Sequence, residues 1–294
     1  MKILITGGSG FVGKHLINKL KEDSENEIYA LDIVDPQIKG VEYVNASILD
    51  YEAIKNVLKD LNIDIIYHLA AQISLPFSVE NPLKDFELNV QGTVNVLEAC
   101  REFKIKKIVF ISTAAVYGIP TENPVSEDAP KRPSTPYGMS KLSAESYVQL
   151  YHKLYGLTYT ILRFFNLYGP RGKGVVPIFV SRAMNKDSLT LVGSGDQIRD
   201  FLYVDDAVNA LHMALKGLDN NDFNVGFGKE TTIKQVAEEV NKQISVEISY
   251  KEQETKEDLY PIANIEKIKS KGFEPKINLE EGIKRIIEYG QASN

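Results

Sequence analysis

One cysteine, Cys100, is all that 294 residues contain. A single thiol excludes an intrachain disulfide and a zinc cluster built on thiolates; within the helix-like stretch VNVLEAC it reads as packing. The four histidines have no metal-ligand spacing, so no metal site is expected. No apolar run reaches the roughly 18–20 residues of a membrane span. The first apolar run starts at the second or third residue, which argues against a signal peptide, and the expected compartment is the cytoplasm. Net charge is -6, with no basic stripe, so nucleic acid is not an expected partner. No repeat or low-complexity segment interrupts the chain. What remains is an ordinary globular composition, 43% apolar and 25% charged, long enough for a large core or two lobes.

Against these absences the first thirteen residues, MKILITGGSGFVG, carry the most information. The apolar run Ile3–Ile5 feeds a glycine turn, and a helix-like segment follows. Gly8-x-Gly10-x-x-Gly13 and Gly7-x-x-Gly10-x-x-Gly13 both fit dinucleotide-binding spacings. Gly7 suits the tight turn, Gly10 a close backbone approach to a pyrophosphate, and Gly13 close packing of helix on strand. The helix N-terminus then offers N–H groups and a positive dipole end to phosphate. A second β-like run, Glu27–Leu31, ends at Asp32, nineteen positions after Gly13. An acid there is placed to hold ribose hydroxyls, which predicts NAD as cofactor.

Strand and helix patterns alternate at the pace of βαβ units. Strands are expected at Lys2–Thr6, Glu27–Asp32, Glu42–Asn45, Ile63–Leu69, Lys107–Ser112 and Tyr159–Phe164, and helices at Gly10–Lys21, Tyr51–Leu61, Leu88–Phe103 and Pro136–Tyr155. Short Ile/Val-rich strands between helices predict an α/β fold: a Rossmann-type, doubly wound parallel sheet, with ligands at the carboxyl ends of its strands. After about residue 166 the pattern changes to Gly/Pro-rich loops, a helix at Pro177–Asn185 and a strand at Leu189–Leu191. This predicts a smaller C-terminal α/β substrate lobe. The expected division is 1–166 with 200–224 for the NAD-binding domain, and 167–199 with 225–294 for the substrate lobe. Phe201–Leu215 reads as a strand and helix that return to the first lobe.

Tyr137 and Lys141 form Tyr-x-x-x-Lys, with Thr135 and Pro136 as cap and first helical position. An i, i+4 pair shares one helix face. The lysine cation favours phenolate, which lets the tyrosine move a proton at a substrate hydroxyl. Thr113 ends an expected central strand; its hydroxyl is placed either to donate to the reacting oxygen or to close a local turn, and Ser112 competes for that role. His68 reads as a packed or backbone-bonding histidine. An arginine fork such as Arg199 suits a diphosphate, although a pair with Asp200 or Asp205 would also use it.

Together these segments resemble the extended short-chain dehydrogenase/reductase family, in its nucleotide-sugar epimerase/dehydratase branch. The resemblance rests on TGGSGFVG at 6–13, HLAAQ at 68–72, NVQGTVNVLEA at 89–99, STAAVYG at 112–118, PYGMSK at 136–141, RFFNLYGPR at 163–171 and RDFLYVDD at 199–206. It implies an NAD-dependent 4-epimerase of UDP-glucose/UDP-galactose type, or alternatively a nucleotide-sugar 4-reductase or a non-catalytic dinucleotide sensor. By this resemblance Thr113, Tyr137 and Lys141 are catalytic. Phe11, Val12, Asp32, Ile48, Leu69, Ala70, Ala71 and Phe165 match cofactor-contacting positions. Asn166 and Arg199 match residues that hold the diphosphate of a nucleotide-sugar substrate. A homodimer through Leu88–Phe103 and Pro136–Tyr155 is also implied, with the stripes Val90, Val94, Leu97 and Tyr147, Leu150, Leu154.

Departures from the family pattern are specific. Ser47 stands where an adenine-binding aspartate is usual. The late Arg-x-Gly-Asp segment is replaced by Glu254–Glu257, leaving Lys256 or Lys173 to supply the missing charge. Ala114 and Ala115 stand where the resemblance places acidic residues in 4,6-dehydratases and UDP-glucuronate decarboxylases, which disfavours that chemistry here.

Overall fold

β-Branched and apolar residues build the strands, and the caps that end the helices are visible in the sequence. The computed structural model describes residues 1–252 and 260–292. Strands β1 (Lys2–Thr6), β2 (Glu27–Asp32), β3 (Glu42–Asn45), β4 (Ile65–His68), β5 (Lys107–Thr113) and β6 (Thr158–Phe164) come first. They are followed by β7 (Asn166–Tyr168), β8 (Leu189–Val192), β9 (Ile198–Arg199), β10 (Phe201–Tyr203) and β11 (Asn221–Val225). The last two are β12 (Thr231–Thr232) and β13 (Ile248–Lys251). Seven of these form one parallel sheet in the order β11-β6-β5-β4-β1-β2-β3. The crossover at β1, from β2 on one side to β4 on the other, puts the first glycine turn where the strand order reverses.

The helices are α1 (Phe11–Leu20), α2 (Tyr51–Leu61), α3 (Leu75–Glu80), α4 (Pro82–Phe86), α5 (Gly92–Glu102) and α6 (Pro136–Tyr155). They continue with α7 (Val175–Met184), α8 (Val204–Met213), α9 (Ile233–Gln243), α10 (Glu266–Lys269) and α11 (Leu279–Ala292). Helix α6 shows why the sequence was readable. Thr135 accepts the Gly138 N–H at its start, Pro136 fills the first turn, and Gly156 closes it in the left-handed region at φ 74°. The expected helix Leu88–Phe103 differs from what forms. Helical structure already starts at Pro82, passes through a π-turn at Glu87–Gln91, and continues as α5. Pro82 at the first helical position is the start signal. Helix α3 was not expected; Ser74 caps it.

The chain groups into two compact units. The first comprises Met1–Gly118, Asp128–Arg163 and Val208–Phe223; the second comprises Ile119–Glu127, Phe164–Ala207 and Asn224–Asn294. The core of the first unit packs Leu4, Leu31, Ile54, Leu97, Phe110 and Val148 with their neighbours, and Cys100 lies within it. Burial pushes the Cys100 thiol pKa up, as expected of a packing residue. In the second unit β10 pairs in parallel with β7, matching Phe201 with Asn166 and Tyr203 with Tyr168. β13 pairs in parallel with β8.

The two apolar stripes expected at a dimer interface have different fates. Val90 and Leu97 are buried in the core. Tyr147, Leu150 and Leu154 on α6 stay exposed, as do Val79, Leu83 and Phe86 on α3 and α4. Among the described residues no helix is long and apolar enough to cross a membrane.

Candidate active site

The glycine turn is built by close approach. Gly7 adopts φ +73°, and a Cβ there would lie 2.6 Å from the Ala70 backbone nitrogen. Its N–H donates to the Leu31 carbonyl at 2.9 Å. A Cβ at Gly13 would overlap the Gly7 carbonyl oxygen, so α1 packs directly on the turn. At Gly10 the space is more open: a Cβ would meet only the Gly7 oxygen, at 3.1 Å. Phe11 and Val12 follow at the first turn of α1, both half-buried. Asp32 leaves β2 half-buried and accepts the Ser9 N–H at 3.0 Å and the Val34 N–H at 3.3 Å. Ser47 accepts the Leu49 N–H at 3.2 Å, a local turn. Ile48 packs on Gly92, where a Cβ would lie 2.5 Å from its Cδ1. Leu69 and Ala70 run past Gly7, with the Ala70 N–H on the Thr6 hydroxyl at 3.3 Å, and Ala71 continues that strand end. An open glycine turn on a helix N-terminus, backed by a carboxylate at the end of the next strand, fits a dinucleotide.

Tyr137 and Lys141 are both buried on α6. The Lys141 ammonium lies 4.1 Å from the Phe110 ring centroid. Burial pushes its pKa down to about 7, against the opposing pull of Glu145 and Asp85. Thr113 ends β5 half-buried, and its oxygen accepts the Ala115 N–H at 3.2 Å, closing the short turn Ala114–Val116. That bond uses a lone pair and leaves the hydroxyl proton to donate. The turn abuts α6: a Cβ at Gly138 would lie 2.5 Å from the Ala115 oxygen. Ser112 points to the other side of the strand, buried, with its hydroxyl unpartnered. His68 meets hydroxyls rather than backbone, Thr6 at 2.7 Å and Thr93 at 3.0 Å. Burial, and then the Lys141 charge, push its pKa down to about 3, so the ring stays neutral.

Beneath the Tyr117 ring lies a buried charge cluster. Arg163 forks onto Glu145 at 2.9 and 2.8 Å and also meets Asp222 at 2.6 Å and the Tyr117 hydroxyl at 3.0 Å. Burial works against the guanidinium charge, but the Glu145 bonds, with Tyr117 and Asp222, outweigh it and raise the Arg163 pKa.

In the second unit a cavity of about 230 Å³ is lined by Asn166, Lys173, Gly174, Arg199, Phe201 and Ile233 with their neighbours. The Asn166 side-chain oxygen is buried without a partner, while its backbone N–H is held by the Asp200 carbonyl at 2.9 Å. Arg199 donates to the Ile198 carbonyl at 2.7 Å and lies 4.3 Å from the Tyr260 ring centroid. Asp200 turns its carboxylate on the backbone of Phe227 (2.7 Å), Gly228 (3.1 Å) and Ala263 (3.0 Å). Phe165 is buried, and its N–H donates to Val225 at 3.2 Å. The segment Glu254–Glu257, with Lys256, lies outside the described residues.

Sequence reasoning missed Tyr260 as the ring under Arg199. It also missed the buried set Asp85, Asn89 and Ser140, with the half-buried Gln72 bonded to it. The motif NVQGT was visible, but placing the helix start at Leu88 left Asp85 in an expected loop.

Comparison with known proteins agrees with this architecture. Residues 3–226 match the NAD dependent epimerase/dehydratase family. A putative UDP-glucose 4-epimerase of Methanocaldococcus jannaschii is 39% identical over 99% of both chains. The human dTDP-D-glucose 4,6-dehydratase is 33% identical over 98% of this chain and 89% of its own length. The crystal structure of UDP-glucose 4-epimerase from Thermotoga maritima, with UDP-glucose, superposes with a TM-score of 0.94 at 34% identity, covering 100% of this chain and 99% of that one. By sequence, by fold and by the motifs at its strand ends, this chain belongs to the NAD-dependent epimerase/dehydratase family, whose members are enzymes.

Proposed function

We propose that the protein is a nucleotide-sugar 4-epimerase of the UDP-glucose/UDP-galactose type, working through a transient 4-keto sugar. One observation carries the choice within the family. The turn that abuts Tyr137's helix is Thr113-Ala114-Ala115, with Ala114 wholly buried. Alanine has no carboxyl to move protons at sugar carbons 5 and 6, so dehydration lacks its acid and base.

The chain's own residues then divide the work. The turn from Gly7 to Gly10, on which Gly13 lets α1 pack, would take the pyrophosphate of NAD, and Asp32 would take its ribose hydroxyls, which disfavours a phosphorylated ribose. Leu69, Ala70 and Ala71 give the cofactor a small-residue wall. Bound NAD supplies reversible oxidation at sugar carbon 4. Tyr137 takes the proton of the 4-hydroxyl and later returns it. Lys141, when charged, stabilises the phenolate. Thr113 donates a hydrogen bond from its hydroxyl to the carbon-4 oxygen. Asn166 and Arg199 anchor the diphosphate, with Lys173 on the same cavity, while the hexose turns over. The exposed row Tyr147, Leu150 and Leu154 supports a homodimer through α6.

The test is an NMR assay over UDP-, GDP- and dTDP-hexoses with the cofactor balance followed. The expected result is interconversion of 4-epimers without net consumption of NADH. Net NADH consumption would make the protein a 4-reductase. Loss of water from the sugar would make it a dehydratase, and cofactor binding with no turnover would make it a sensor.

A further inference from the structure

Asp85 is an acid where none is needed for packing. It lies on the short helix α4, 1% exposed. Its Oδ1 accepts from Gln72 Nε2 at 2.8 Å and from Asn89 Nδ2 at 3.1 Å. Its Oδ2 is buried with no partner. Asn89 carries the connection onward, donating to Ser140 Oγ at 3.1 Å, and Ser140 donates to the Tyr137 carbonyl at 3.0 Å. Ser140 stands directly before Lys141. The chain of bonds thus starts at a half-satisfied carboxylate and ends on the helical turn that carries the acid/base pair.

A buried carboxylate with two open lone pairs needs a compensating charge. We propose that Asp85 is the positioning residue of the Tyr137–Lys141 pair: its bonds through Asn89 and Ser140 fix the turn of α6 on which both groups stand, and its buried negative charge favours the charged form of Lys141. This rests on the reading of Tyr137 and Lys141 as the acid/base pair. Among the other titratable groups around Lys141, Glu145 on the same helix also favours the ammonium, and more strongly, but its carboxylate is already forked by Arg163. His68, from β4, is neutral. Tyr137 is the group Lys141 serves, and Phe110, from β5, offers only a ring face.

The experiment compares wild type, Asp85→Asn, Lys141→Met and the double variant. Asn is isosteric and still accepts from Gln72 and Asn89. Removing the negative charge disfavours the ammonium, so the alkaline limb of the pH–kcat profile should move down by about one pH unit, with KM for the sugar nucleotide little changed. The second readout needs no turnover. At pH 6, Asp85→Asn should lower the melting temperature when Lys141 is present and leave it unchanged or raised in the Lys141→Met background. An unmoved limb, or an equal drop in melting temperature in both backgrounds, overturns the proposal. Failure of the acid/base reading would show separately, as undiminished turnover in Tyr137→Phe.

Discussion

The two units treat their buried polar groups differently. In the first, Arg163 is closed in by Glu145, Asp222 and Tyr117, and His68 lies between two threonine hydroxyls. Asp85 Oδ2 and Ser112 Oγ are the unpartnered atoms there among the described residues. In the second, the Asn166 oxygen is buried and unpartnered, and Asn166 lines the cavity of about 230 Å³. The first unit closes Arg163 and His68 within the chain. The second sets Arg199 and Lys173, the donors that a diphosphate needs, on the wall of its cavity, with Asn166 on the same wall. A catalytic pair has to be held in one geometry and one charge state before substrate arrives, whereas an anchor for a diphosphate gains its energy on binding. The difference predicts that damage to the first unit costs turnover or stability, and damage to the second costs affinity.

The sharpest way to break that comparison is Lys141→Met. Turnover should fall by about 10²–10⁴-fold, with KM within a few-fold of wild type, in steady-state assays. A rise in KM alone would move Lys141 to the binding side. Arg163→Met comes next. It strands Glu145 and Asp222 without their cation, and loss of one partner from a buried pair costs about 3–5 kcal/mol; urea unfolding reads it. A loss below 1 kcal/mol would mean that water reaches the cluster.

His68 sharpens the comparison through pH. Its folded pKa lies below its unfolded value, so the neutral ring's contribution is fully present above about pH 6.5. It is lost as pH falls toward about 3. Between pH 6.5 and 5 wild type should lose roughly 1–2 kcal/mol from this group, and His68→Gln should flatten that part of the stability profile. Parallel profiles for the two proteins would contradict the burial argument. The smallest effect belongs to the second unit. Arg199→Ala should raise KM by about 10-fold, the worth of one charge-assisted hydrogen bond, with kcat and the unfolding midpoint nearly unchanged. A fall in kcat as large as that of Lys141→Met would erase the distinction between the units.

Much of this fold was legible because its signals are local. Strands β1, β2 and β3 and helices α2 and α6 form over the expected residues, since apolar runs, caps and glycine turns act within a few positions. The glycine turn was readable for the same reason. What stayed hidden depends on long separations. Nothing near Asp200 in sequence announces that its carboxylate will hold the backbone of Ala263, nor that Tyr260 will lie under Arg199. Periodicity also cannot say where an apolar stripe goes. Val90 and Leu97 went into the core, while Tyr147, Leu150 and Leu154 on α6 did not. Asp85 was invisible for a further reason: a buried acid in a short helix has the same pattern as a solvated one, and only its neighbours across the fold distinguish them.

The central claim is that Tyr137 moves the proton at the reacting hydroxyl. Turnover of Tyr137→Phe, measured beside NAD binding on the same preparation, tests it most directly. The expected result is activity reduced by about 10²–10⁴-fold with NAD bound as tightly as in wild type. Turnover equal to wild type would contradict the account, because a ring without its hydroxyl has no proton to give or take.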